Sequence, residues 1–196
     1  MDINARIARR VRALRRQREL SLDALAGRCG VSRSHISLIE RGHSSPTATV
    51  LDRLATGLGV AVASLFEDDG PGPAPPSPLS RRAQQPVWTD PASGYVRRNL
   101  SPSAVGSAIQ LVEVDFPAGQ RVAFDTTQRD IEIWQQIWVI NGAMEVTLDG
   151  TPWRLESGDC LAMRLDRPIT YRNPTRSAAR YLVALASLPG STQRRS

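Results

Sequence analysis

SLDALAGRCGVSRSHISLIERGHSSP, residues 21–46, is the stretch on which the reading of this chain turns. Two short helical patterns flank a Gly-containing turn at Cys29-Gly30-Val31. Ser21 and Ser32 stand where helix N-caps belong, and Asp23 falls in a first turn, where negative charge suits the helix dipole. At about 100° per residue, Ile36 and Ile39 share one side of the second helix. Arg33, Ser34, Ser37, Leu38 and Arg41 occupy the opposite side. One side packs; the other is left to meet a partner. Two helices joined in this way form a helix-turn-helix, whose second helix can lie in a DNA major groove. A helical bundle used for protein contacts is the alternative.

Charge favours DNA. All 25 cationic residues are arginine, and eleven of them lie in residues 1–66 beside five acids, a net of +6. Residues 67–196 carry 14 of each sign, so the whole net charge sits on the N-terminal third. Such segregation is the electrostatic footprint of phosphate binding and predicts affinity that falls steeply with salt.

The order of motifs over residues 3–66 resembles the lambda-repressor/Cro class of helix-turn-helix domains, the XRE family. RIARRVRALRRQREL matches its first helix, SLDALAGRC its second and SRSHISLIERG its reading helix. TATVLDRLATGLG and the closing AVASLF complete an expected five-helix domain over residues 1–67. Carried over by position, the resemblance implies base contacts from Arg33, Ser34 and Leu38. It implies phosphate contacts from Ser21, Arg41 and His43, with Ser32 and Ser37 completing the DNA-binding set. Arg33 suits guanine, because its planar fork can donate to both O6 and N7.

Residues 67–85, EDDGPGPAPPSPLSRRAQQ, hold prolines at 71, 73, 75, 76 and 78, which preclude helix and central strand. A stiff linker is therefore expected over 68–86, tethering two domains. Beyond it the periodicity changes to alternation, as in Val112, Val114 and Phe116 or Met144, Val146 and Leu148. Turn signals fall between the runs, and Asp149-Gly150 is the strongest hairpin signal in the chain. These features predict an all-β domain over 87–190, followed by a disordered tail at 191–196.

Residues 137–174, IWVINGAMEVTLDGTPWRLESGDCLAMRLDRPITYRNP, resemble the cupin family, a small jelly-roll barrel. Enzymatic cupins hold a metal with a His-x-His pair, a glutamate and a later histidine. Both histidines here, His35 and His43, lie in the N-terminal domain. Aligned on Asn141-Gly142, the glutamate position falls at Gln135, the His-x-His position within 128–131 and the later histidine at Ile169. With imidazole and thiolate ligands lacking there, no metal, cofactor or catalytic residue is expected, and the barrel reads as a binding pocket rather than an enzyme. Asp125, Asp130 and Glu132 read as solvated loop charges.

Strand alternation turns Gln135, Ile137, Ile169 and Tyr171 inward, and Met144, Met163 and Tyr181 are further lining candidates. Gln135 and Tyr171 can orient a small polar ligand against an apolar wall; the alternative is that these side chains fill the core. Arg121 and Arg172 can pair a carboxylate. Trp134 and Trp138 share the outward face of their strand, which points to a homodimer interface or to a register that instead places them in the pocket.

The expected protein is thus a two-domain, cytoplasmic transcriptional regulator that binds double-stranded DNA, with repression the expected direction. Its metal-free cupin would take a small-molecule effector, a carboxylate-bearing one being suited to Arg121, and would pair two copies. A metal-dependent enzyme fused to a DNA-binding domain and an antitoxin-like repressor gripping a partner protein are the alternatives. Only Cys29 and Cys160 are present, so no disulfide framework is implied, and no apolar run of about 18 residues predicts a membrane span.

Overall fold

Each α-helix starts on a side chain that accepts a backbone N–H, as expected from the sequence for Ser21 and Ser32. In the computed structural model, which describes residues 2–67, 77–102, 107–124 and 132–188, α1 (Ile3–Gln17) is capped by Asp2 and α2 (Leu22–Cys29) by Ser21. Ser32 caps α3 (Arg33–Glu40) and Thr47 caps α4 (Ala48–Gly57). Gly30 ends α2 at φ 66°, a left-handed position where glycine carries no steric cost. The buried stripe of α1, Ile7, Val11 and Leu14, meets Leu25, Ile36, Ile39, Leu51 and Leu54 from the other three helices.

The expected fifth helix is a 3₁₀ turn, Val62–Phe66. Five residues are too few for a self-supporting α-helix, and this turn is held instead by burying Leu65 and Phe66. Helices α2 and α4 cross at Gly57, where an added Cβ would lie 2.7 Å from the Cβ of Cys29. Gly57→Ala is therefore expected to destabilise the head by about 1–3 kcal/mol through overpacking. An unchanged urea midpoint would contradict so close an approach.

The β-domain has ten strands among the described residues: β1 (Val87–Thr89), β2 (Val96–Asn99), β3 (Ile109–Phe116), β4 (Arg121–Phe124), β5 (Glu132–Asn141), β6 (Ala143–Leu148), β7 (Thr151–Glu156), β8 (Cys160–Arg164), β9 (Ile169–Arg172) and β10 (Ala179–Leu188). They form two antiparallel sheets, ordered β1-β2-β3-β10-β5-β8 and β4-β9-β6-β7. The expected barrel is thus two facing sheets with no strand shared between them, rather than one closed ladder. The β6–β7 hairpin turns on Asp149 (φ 46°) and Gly150 (φ 82°), the pair of positive φ values that a type I′ turn requires.

The linker expected at 68–86 is described only from residue 77 onward, where a 3₁₀ turn, Arg82–Gln84, interrupts the extended chain. Besides the linker, the two domains also dock directly. The amide of Ala48, first residue of α4, donates to Asp90 Oδ1 at 2.9 Å, and Thr49 Oγ1 donates to the Ala123 carbonyl at 3.1 Å. Glu67 accepts from Arg10 on α1 at 3.0 Å and from Gln110 on β3 at 2.8 Å. Aromatic rings continue the junction inward: Phe66 meets Trp88 at 5.9 Å, Trp88 meets Tyr95 at 5.7 Å, and Tyr95 meets Phe116 at 5.9 Å. One buried cluster therefore spans both domains. The expected tail at 191–196 and the acids Asp125 and Asp130 lie outside the described residues.

Candidate nucleic-acid interface and internal cavity

The outward face of α3 follows from its packed one. Burying Ile36 and Ile39 turns Arg33, Ser34 and Leu38 to solvent, and exposed Arg41 and His43 follow at the helix end. Ser37 is half-buried between the two faces. Ser21 and Ser32 already use their hydroxyl oxygens as caps, accepting from Ala24 N at 3.0 Å and His35 N at 3.3 Å. Arg33 Nε lies 3.4 Å from Asp23 Oδ1, with both side chains largely exposed. A surface pair of this kind is weak and yields readily to a better acceptor.

What holds α3 in place was not legible in the sequence. Glu40, its last residue, takes a bidentate pair from Arg15 of α1, at 2.7 Å from Nε and 2.8 Å from Nη2. Arg15 Nη1 also donates to the Leu20 carbonyl at 2.8 Å. The hydrogen bond to Glu40 raises the Arg15 pKa further above its already high value, with burial opposing it. This clamp joins the first helix to the end of the reading helix. The two residues stand 25 apart and no local pattern links them.

Beneath the head, the two sheets border a partly open cavity of about 90 Å³. Of the lining candidates named from sequence, Gln135, Ile169, Tyr171 and Tyr181 border it. Gln135 Nε2 donates to Tyr171 Oη at 2.8 Å, and both residues are buried. Met144 and Met163 are buried in the core but do not border the cavity.

Arg121 lies elsewhere: it is exposed, its Nη2 donates to Thr170 Oγ1 at 3.2 Å, and it pairs in register with Arg172. Arg172 is also exposed, 3.9 Å from Glu145. Alternation is the reason: Ile169 and Tyr171 face inward on β9, so Arg172 between the strands' packed positions faces out. The expected carboxylate pair at Arg121 and Arg172 is therefore not part of the cavity. Glu132 is half-buried rather than a solvated loop charge, accepting from Trp134 Nε1 at 2.9 Å.

Sequence reasoning missed the cavity's other polar residues. Tyr95 and Arg97 border it from β2 and the preceding turn, and Ala48, Asp52, Ala61 and Val62 border it from the head. Burial pushes the hydroxyls of Tyr95 and Tyr181 well above the usual tyrosine range, so both stay protonated and can donate. An Arg at an inward strand position is a readable signal, but the faces of β2 cannot be told apart over four residues.

The metal of enzymatic cupins does not fit these residues. Gln135 and Ile169 offer an amide and an alkyl chain, and no three His, Cys, Asp or Glu side chains gather anywhere among the described residues. Residues 128–131 lie outside them.

Trp134 and Trp138 both face out, 46% and 48% exposed, which excludes the register that would have put them in the pocket. Ile140 follows them on the same face of β5, and Leu182 lies beside Trp138 on β10. No helix among the described residues is long and apolar enough to cross a membrane.

Comparison with known proteins agrees with this geometry. A family model described as a helix-turn-helix domain matches residues 6–65. The HTH-type transcriptional regulator SutR of Escherichia coli strain K12 is 28% identical over 163 residues, 83% of this chain and 84% of that protein. The crystal structure of an HTH_3 family transcriptional regulator from Vibrio cholerae superposes with a TM-score of 0.74 at 24% identity, covering 94% of this chain and 96% of that one. A cupin domain from an XRE family transcriptional regulator of Enterobacter cloacae aligns with 47% of this chain and 95% of its own length, at 18% identity and a TM-score of 0.43. Residues 6–65 thus match a helix-turn-helix domain, and over most of its length the chain is similar to helix-turn-helix transcriptional regulators.

Proposed function

We propose that this regulator reads a specific DNA sequence with α3 and changes its DNA affinity when a small molecule enters the cavity between the sheets. The observation that carries the reading is the shared lining: Ala48 and Asp52 of α4 border the same cavity as Gln135, Tyr171 and Tyr181. Helix α4 is also the element whose first N–H, that of Ala48, is held by the β-domain, through Asp90. An effector in the cavity thus touches both domains at once, and can shift the head only by contacting its two states differently. No catalytic group, cofactor or metal enters this reading, and the setting is cytoplasmic.

Arg33 and Ser34, with Leu38 for thymine methyls, are the base-reading side chains. Ser21, Ser32, Ser37, Arg41 and His43 position the helix on phosphates. Trp134 and Trp138 form the apolar face of a homodimer that presents two heads to one two-fold operator, and repression by occlusion is the expected direction. Selection of bound DNA followed by sequencing tests the core of the proposal, since a palindromic consensus should emerge. Arg33→Ala should then cost roughly 1–3 kcal/mol at one guanine-containing position and relax preference there. Selected DNA with no consensus, or an Arg33→Ala profile identical to wild type, contradicts it.

A further inference from the structure

We propose that the cavity selects a small organic anion, whose carboxylate or similar oxyanion docks on the buried guanidinium of Arg97 while its apolar body faces the sheets. The inference rests on the reading of the cavity as the effector site and names what that site takes.

Arg97 is 9% exposed, lies on β2 and points into the cavity. Its Nε donates to Asn99 Oδ1 at 3.2 Å, and its guanidinium carbon stands 5.3 Å from the centroid of the Phe66 ring. Its Nη2 is buried and has no hydrogen-bond partner among the described residues. A buried cation normally has a carboxylate partner, because taking a lone charge out of water is costly. Among the described residues the groups acting on it are the hydroxyls of Tyr95, Tyr181 and Tyr171, with no carboxylate. Asp52, the acid on the cavity roof, has an interaction of its own. Burial pulls the Arg97 guanidinium below its ordinary value, yet the group stays charged at neutral pH.

Among the described residues the fold thus holds a buried positive charge with no carboxylate partner, in a cavity that also offers tyrosine hydroxyls and an apolar wall. The planar fork of arginine matches an oxyanion. Size narrows the class. At about 90 Å³ the cavity is smaller than the roughly 150 Å³ apolar cavity known to admit benzene. A molecule of a few heavy atoms beyond the anionic group fits. The cation–π contact with Phe66 gives the anion a direct route to the head, because Phe66 closes the helical core. Neutralising Arg97 changes what that ring faces.

The test is thermal unfolding of the full chain with acetate, propionate, butyrate and inorganic phosphate, each against chloride at equal ionic strength. Butyramide serves as the neutral isostere. An organic carboxylate should raise Tm by several degrees with saturation, and butyramide should not. Arg97→Met should abolish the response, and without ligand should melt no lower than wild type because it removes an unpaired buried charge. Arg97→Lys should retain a reduced response. Equal shifts with butyrate and butyramide, or an undiminished response in Arg97→Met, would overturn the anion and leave a cavity for neutral effectors. No shift with any organic carboxylate also overturns it, and a shift with phosphate alone reassigns the site to an inorganic oxyanion, against the proposal. The broader reading is tested separately by Val183→Phe, which fills the cavity from β10: unchanged DNA affinity would sink the effector role itself.

Discussion

Replacing Glu40 by alanine is expected to destabilise the protein by about 1–3 kcal/mol, because it leaves the partly buried guanidinium of Arg15 without its charged partner. The two side chains are 13% and 7% exposed, and the pair is bidentate. Partial burial and two hydrogen bonds make the broken pair costly, whereas a surface pair such as Arg33–Asp23 should be nearly silent. Urea denaturation of Glu40→Ala measures the loss directly. Arg15→Met combined with Glu40→Leu should recover most of it, since the desolvation cost of both charges disappears together. The double variant should nevertheless bind DNA less tightly, because the end of α3 is then held by packing alone. A single-variant loss under about 1 kcal/mol would show that the clamp contributes no more than a surface pair.

The second large effect concerns assembly. Trp134→Glu with Trp138→Glu should convert a dimer to a monomer in sedimentation and weaken operator binding by about 10²–10³-fold, since two linked heads gain that order of avidity over one. Fold stability should hardly change, because both side chains are about half exposed in the isolated chain. Placing a charge on that face leaves the cavity side of β5, with Ile133, Gln135 and Ile137, untouched. A wild-type protein that sediments as a monomer, or a double variant that stays dimeric, would contradict the assignment of this face.

The division of α3 into a packed and a solvent-facing side was legible in the sequence. The N-caps Ser21 and Ser32 and the buried pair Ile36 and Ile39 are local features: they depend on residues within a turn or two. Alternation likewise placed Gln135, Tyr171 and Tyr181 inward and the two tryptophans outward. The same alternation, applied to β9, would have turned Arg172 away from the pocket. Charge type alone had suggested it as a ligand partner, and geometry overrides charge type. The fifth helix failed for want of length, since five residues cannot support an α-helix without neighbours.

The sequence by itself therefore determined the reading helix, the hairpin at Asp149-Gly150 and the facing of the long strands, because capping, turn chemistry and periodicity act over a few residues. Tertiary structure alone decided that Asp90 caps a helix 42 residues earlier, that Thr49 bonds the Ala123 carbonyl 74 residues on, and that Arg97 is buried with no carboxylate beside it among the described residues. Such contacts depend on which faces of two domains pack together. That outcome follows from the burial of Phe66, Trp88 and Tyr95 as a unit, and no short-range pattern encodes it.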